Sequence, residues 1–507
     1  MKKLEHSMYA GLLSATLLLT LLTGCGKTEE ILEESSAAPE SITEIIPEET
    51  EIPWESLLPQ TDMEGMNFRV LTLTNGVVAL TTLFQPEEET GELLNDSIYN
   101  RNLKIAELYN VKFSENGVGD YFTPSTMLKQ AVIADSDEYD LYYLVEREAY
   151  SIILDKYALR PDQLPFVDPS QPWYFQDMNE QLSLNGILLM AYGADSITSY
   201  ENSAIMLFNQ QIFTNEGFEN PYDMVRNGTW TVDKVLEIAE TSARDLNGDG
   251  ILNDYDQLGI VSELDFMYSS LWVGAEKPVV KILESIPTFM TLIDESLITL
   301  MQKISTYANM PGVMFDVFYD ICDKYSEWQE ISEPGRAVSD MIFSSGTAAM
   351  RITSIGALKN LREMEDNFGV LPLPKYDENQ EKYHTRAIGG LYGTVPSTTQ
   401  NANNISIILE ALAAESYVSL MPAFCETVLK DKYTRDPDSQ EMMDLILNNL
   451  YQDLGDAVFN KAFEPYNNLF AAGKDTFASE TAKYEKQINT LITSYIEKAE
   501  KLYEDAE

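Results

Sequence analysis

Between residues 68 and 157 the chain switches repeatedly between two apolar rhythms, and this alternation limits the possible folds more than any other feature. Phe68-Arg69-Val70-Leu71-Thr72-Leu73 is β-branched and apolar and reads as a strand. Residues 96–109 then carry helical spacing in Ile98, Leu103, Ile105, Ala106 and Tyr109. Val111-Lys112-Phe113 returns to strand, and the exchange continues through 128–134, 139–145 and 149–157. Such alternation predicts α/β layers around a mostly parallel sheet. A chain of 507 residues has enough length for two lobes, because single cores stop growing at about 250–300 residues. Farther on, 230–243 is an amphipathic helix preceded by Asn227-Gly228-Thr229, and 402–420 and 483–503 are long helical stretches. No internal repeat is present.

The front of the chain has a different character. Lys2 and Lys3 are followed by an apolar run over 8–22 and by the small residue Gly24, which makes residues 1–24 a secretory signal. The run is too short to span a bilayer comfortably. Cys25 comes next, and Leu22-Thr23-Gly24-Cys25 resembles the lipobox of bacterial lipoproteins. That resemblance implies a thiol carrying palmitate-type acyl chains and a mature protein held on the extracellular face of the cell membrane; plain secretion with an incidental cysteine is the alternative. Residues 25–60, rich in Glu, Ser, Pro and Thr, cannot bury enough apolar surface to order themselves and read as a self-repelling spacer.

Charge narrows the partners. The formal net charge is −48, which repels nucleic acid and anionic lipid and disfavours anionic ligands. Neutral and cationic ligands remain. One of the two histidines, His6, lies in the signal, so His384 alone is left, which removes His-based triads and multi-histidine zinc sites. Once Cys25 is set aside, Cys322 and Cys425 permit one disulfide and no disulfide framework.

Several segments, taken in order, point to a family. Gly91-Glu92-Leu93-Leu94-Asn95-Asp96-Ser97-Ile98-Tyr99-Asn100-Arg101-Asn102 is followed by Pro172-Trp173-Tyr174, Met206-Leu207-Phe208-Asn209 and Gly228-Thr229-Trp230-Thr231. Phe343-Ser344-Ser345-Gly346-Thr347-Ala348-Ala349-Met350, Gly369-Val370-Leu371-Pro372-Leu373-Pro374-Lys375-Tyr376 and Lys432-Tyr433-Thr434-Arg435-Asp436 complete the series. Over roughly residues 66–500 this order and spacing resembles extracellular solute-binding proteins of family 1, the substrate receptors of carbohydrate ABC importers, in their Gram-positive lipoprotein form. The resemblance implies a two-lobed periplasmic-binding-protein type II fold with the ligand in the interlobe cleft. It places 65–200 and 336–375 in an N-terminal lobe and 201–335 and 385–507 in a C-terminal lobe, with closure by hinge motion.

Asp245-Leu246-Asn247-Gly248-Asp249-Gly250-Ile251-Leu252-Asn253-Asp254-Tyr255-Asp256 puts oxygen side chains at loop positions one, three, five and twelve, with Gly at six. Asp245, Asn247, Asp249, the Ile251 carbonyl and Asp256 are the candidate Ca²⁺ ligands. An acidic turn without metal is the alternative. Related binding proteins often carry such a loop after the helix that Gly-Thr-Trp-Thr opens, which implies a structural ion.

Sugars present C–H faces that stack on rings and hydroxyls that need polar partners. By resemblance to maltose-binding relatives, the run Leu264-Asp265-Phe266-Met267-Tyr268-Ser269-Ser270-Leu271-Trp272-Val273-Gly274-Ala275 supplies Tyr268 and Trp272 for stacking. Trp173 and Tyr174 lie between turn-forming residues, while Asp195 and Tyr392 fall near the two expected crossings. Each aromatic reads equally as core packing or interlobe support, and Asp195 as polar scaffold. Thr353-Ser354 stands where sugar-binding relatives often place an aromatic, Glu276 where a further Gly is usual, and 278–293 lacks polar hairpin texture.

No Gly-x-Ser-x-Gly elbow, Walker loop or Gly-x-Gly-x-x-Gly fingerprint occurs, and 82 acidic residues make chance carboxylate pairs unavoidable. Nothing in the chain demands catalysis. The expectation is a monomeric lipid-anchored receptor that captures a neutral carbohydrate, an oligosaccharide by preference, and delivers it to ABC permease subunits. A receptor for a peptide or cationic solute is the runner-up, ahead of a cell-surface glycan-active enzyme or adhesion module.

Overall fold

The computed structural model describes residues 53–74, 84–183, 188–284, 286–317, 334–426, 437–459, 466 and 477–504. The signal, Cys25, most of the spacer and Cys322 lie outside the described residues, as does Lys432 to Asp436. Cys425 is buried and its thiol is free.

The strands, in chain order, are β1 (Met66–Leu73), β2 (Val111–Val118), β3 (Leu141–Val145), β4 (Ala204–Asn209), β5 (Leu258–Ser262), β6 (Val280–Leu283), β7 (Ile286–Phe289), β8 (Met314–Asp316), β9 (Ala348–Ser354), β10 (Phe368–Leu371), β11 (Thr385–Arg386), β12 (Leu391–Thr394) and β13 (Leu450–Tyr451). They form a four-stranded sheet in the order β12-β3-β1-β2 and a five-stranded sheet in the order β10-β4-β9-β5-β8. β1, β2 and β3 run parallel and β12 antiparallel, so the first sheet is built by helical crossovers and closed by a returning strand. In the second sheet β9, β5 and β8 are parallel, while β4 and β10 run against them or against each other.

Local chemistry explains the crossovers. The helix Leu93–Tyr109 buries Ile98, Ile105 and Tyr109 and stops at Asn110, whose left-handed φ of 51° lets its N–H bond Ala106 O. One residue later β2 begins, with Val111 beside Met66. The helix Val232–Ser242 is opened by Thr231, whose side chain accepts from Lys234 N–H, and it buries Val235, Leu236, Ile238 and Ala239. Trp230, with no exposed surface, donates through Nε1 to Pro372 O at 3.1 Å and so ties that helix to the chain leaving β10.

Pairing distributes the segments differently from the sequence expectation. β9 and β10, inside the 336–375 stretch assigned to the first lobe, pair with β4 and β5 of the second sheet. β12, assigned to the second lobe, pairs with β3 of the first. The helix Ala402–Glu415 also packs with the first sheet, Ile405, Ile408 and Leu412 sharing a core with Phe68 and Val70. The reason is topological: the second crossing carries the chain back to the first sheet before its long C-terminal helices begin. The region read as lacking polar hairpin texture forms a hairpin, β6–β7, with Leu283 and Ile286 exposed at its tip.

Candidate functional site

The chain passes between the sheets beside the ends of their parallel strands. Leu391, first residue of β12, pairs with Val145, last of β3, and Ala204, first of β4, pairs with Ser354, last of β9. The two crossing segments are bonded to each other. Leu391 N–H donates to Thr198 Oγ1 at 2.8 Å, Ser196 Oγ donates to Leu391 O at 3.1 Å, and Asn202 Nδ2 donates to Gly389 O at 3.0 Å. Open α/β sheets bind ligands outside the carboxyl ends of their strands, which makes this seam the candidate site.

Two cavities lie along it. One, of about 70 Å³, is bordered by Tyr174, Asp195, Tyr392, Leu189, Val395 and Ala413. The other, of about 60 Å³, is bordered by Thr72, Arg101, Tyr143, Asp195, Thr198 and Leu391. Each has room for a few waters, well below the roughly 300–1,000 Å³ of a small-molecule pocket. Asp195 and Leu391 border both.

The structure brings three of the six residues singled out in the sequence together at the first cavity: Tyr174, Asp195 and Tyr392. Trp173 does not border it. Trp173 Nε1 and Tyr174 OH both donate to Glu410, at 2.9 and 2.7 Å, and both rings are buried. Burial pushes the Glu410 carboxyl up to about 7 against these bonds. Tyr392 shares a hydrogen bond with Ser199 at 3.0 Å and meets Tyr192 edge-on, ring centroids 4.4 Å apart. Tyr268 and Trp272 border neither cavity. Their helix, Leu264–Gly274, packs apolar residues on every side, and Trp272 is fully buried, edge-on to Tyr466 at 6.2 Å. The stacking role read for these two has no free ring face here, because a helix with Met267, Leu271 and Val273 also buried has no wet side.

Three charged groups at the seam were not singled out. Arg101 is 4 % exposed; it donates from Nε to Asn102 Oδ1 at 3.0 Å and from Nη1 to Ser416 Oγ at 3.1 Å, and lies 5.5 Å from the centre of the Phe84 ring. Burial lowers its pKa, opposed by Tyr143, Asp195 and Glu415. Glu146, which follows β3 directly, accepts from Tyr192 OH at 2.8 Å and from Gln452, and burial pushes its carboxyl up to about 7. Glu410 is the third. A signal for two of them was present: Arg101 falls on the stripe Ile98, Ile105, Tyr109, and Glu410 interrupts the apolar run of its helix, so both are inward positions filled by charge.

The acidic loop has the turns its glycines predict, Gly248 and Gly250 at φ of 79° and 80°. Asp245 accepts from Gly248 N–H at 2.6 Å and Gly250 N–H at 2.8 Å, and these bonds hold its carboxyl below the usual range. Asp249 accepts from Ile251 N–H and Asn247 from Asp249 N–H. Asp256 is buried and accepts from Leu246 and Asn253 N–H. The all-oxygen donor set fits a hard cation. Among the described residues, however, no three Asp, Glu, His or Cys side chains are gathered as metal ligands.

No protein-family model matches the sequence, and a comparison with curated proteins returns no match. Solved structures do resemble the chain. A cyclo/maltodextrin-binding protein complexed with maltotetraose aligns with a TM-score of 0.52 and 13% identity over 87% of this chain and 98% of its own. A family 1 extracellular solute-binding protein from Bifidobacterium longum subsp. infantis gives 0.51 and 12% over 83% and 99%. A sugar transporter protein from Rhizobium etli in an open conformation gives 0.53 and 13% over 86% and 99%. The fold is therefore the two-lobed, type II fold of periplasmic-binding-protein solute receptors.

Proposed function

We propose that this protein is a lipid-anchored extracellular receptor that captures a neutral carbohydrate between its lobes and delivers it to the membrane subunits of an ABC importer. The observation that carries the reading is the seam: two cross-bonded segments beside the ends of β3 and β9, with Thr72, Arg101, Tyr143 and Asp195 around one cavity. Hydroxyl-bearing ligands suit such a mixed donor and acceptor lining. Its solved neighbours are substrate-binding proteins rather than enzymes, which supports a non-catalytic role. The anchor rests on Cys25 and its preceding Leu-Thr-Gly. Structural Ca²⁺ at Asp245, Asn247, Asp249, the Ile251 carbonyl and Asp256 belongs to the same proposal, the ion replacing the bonds that the loop amides now make to these oxygens. A thermal-shift screen of the mature chain against neutral oligosaccharides, oligopeptides and polyamines tests the ligand class. Stabilisation by a neutral oligosaccharide supports it; stabilisation by peptides or polyamines alone overturns it.

A further inference from the structure

The second cavity is bordered by a guanidinium and a carboxylate that do not bond to each other. Arg101 and Asp195 border it together, and each charge influences the other's titration. Yet among the described residues Asp195 forms no ion pair. Arg101 is fixed from behind by Asn102, Ser416 and the Phe84 ring, with Nη2 making no bond among the described residues. Asp195 accepts only from its own backbone N–H, and burial raises its pKa. Its position is set by Gly193, where an added Cβ would lie 3.0 Å from both Asp195 Oδ1 and the Tyr174 ring.

A buried guanidinium and a half-buried carboxylate that border one cavity without pairing suit a group that bridges them. The bridging group must accept from Nη2 and donate to the Asp195 carboxylate. An anion only accepts and an ammonium only donates, whereas a hydroxyl does both, and two neighbouring hydroxyls on one ring do so twice. The cavity of about 60 Å³ admits that edge of a sugar and no more. We infer that Arg101 and Asp195 are the two sides of a subsite for adjacent hydroxyls of an uncharged sugar or polyol, with water bridging them when no sugar is bound. The inference rests on the carbohydrate reading above and names the residues that select neutral ligands within it. Thr198 and Leu391, which line the same cavity and bond to each other, couple its occupancy to both crossings.

The test uses the mature chain with Arg101→Gln and Asp195→Asn, alone and together, and two sets of probes. Maltotetraose, cellotetraose, xylotetraose and mannotetraose are titrated by calorimetry. Each single change is expected to weaken the bound tetrasaccharide by about 10- to 100-fold, and the double change to weaken it by less than the product of the two. Wild-type binding that both variants keep within about twofold overturns the subsite and leaves the carbohydrate reading intact. Sodium sulfate is the second probe and needs no sugar. Removing the carboxylate charge leaves Arg101 facing the cavity alone, so Asp195→Asn is expected to show a larger sulfate-dependent thermal stabilisation than wild type, above the general stabilisation that sulfate gives both. Equal sulfate response in the two proteins overturns the separated pair whatever the sugars do. Asp195→Asn keeps the side chain's shape, so this arm remains decisive if Arg101→Gln does not fold.

Discussion

Gln452 donates its side-chain amide to Glu146, joining the segment after β13 to the residue that follows β3. Tyr192 OH, on the first crossing, donates to the same Glu146 oxygen at 2.8 Å and lies 3.1 Å from Tyr150 OH. Asp456 stands near Glu146 and is bonded by Arg386 at 2.6 Å. A buried carboxylate therefore sits where the lobes meet, beside a second carboxylate and with hydroxyl and amide donors as its bonded partners.

This position makes stability pH-dependent with a definite sign. Burial raises the Glu146 carboxyl from 4.5 to about 7, so the folded chain holds a proton that the unfolded chain has released between those values. Its contribution is complete below about 4.5 and is lost as pH rises through about 7, a few kcal/mol in total. Asp453, raised to about 7 by burial, acts in the same direction. Urea unfolding at pH 5.5 and 8 is expected to show the loss, and Glu146→Gln to reduce it; a variant with the wild-type slope contradicts the assignment.

Glu410 anchors two aromatic residues at once. Replacing it with Ala leaves the Trp173 and Tyr174 donors buried without an acceptor and is expected to cost about 2–4 kcal/mol. Glu410→Gln keeps one acceptor oxygen and should lose less. Denaturant midpoints of the two variants check the order.

Trp272→Ala removes a fully buried indole from a helix without a wet side. The expected loss is about 3–5 kcal/mol of stability. Below its unfolding range the variant should bind sugar with wild-type affinity, measured by calorimetry, because the ring borders neither cavity.

At Gly259 an added Cβ would lie 2.4 Å from Ala239 O and 2.5 Å from Val313 O, both backbone atoms. Gly259→Ala is expected to destabilise by about 1–3 kcal/mol through overpacking, read from its thermal midpoint.

Calcium occupancy predicts a rise in melting temperature with CaCl2 that a chelator reverses and that Asp249→Ala abolishes. No shift on chelation removes the ion from the account.

The elements were legible where the local pattern is strong. Phe68 to Leu73, the stripe of Ile98, Ile105 and Tyr109, and Thr231 before its amphipathic helix all lie where the apolar spacing puts them. Lobe membership was not, because the partners of β9 and β12 are fixed by pairings with Met206 and Tyr143, far away in sequence. The site divided along the same line. Asp195 and Tyr392 were singled out for their closeness to the crossings and border the first cavity, whereas Trp272 was carried over from a resemblance to maltose-binding relatives, although Met267, Leu271 and Val273 around it mark a largely apolar, buried helix. Arg101 and Glu410 were hidden because a charge on an apolar stripe gains meaning only once its partners are known.

The most direct measurement is a calorimetric titration of the mature protein with neutral oligosaccharides, paired with small-angle scattering. The account predicts saturable one-to-one binding of at least one neutral oligosaccharide and a smaller radius of gyration in the complex. Absence of saturable binding to every neutral oligosaccharide, with peptides or polyamines binding instead, would contradict it.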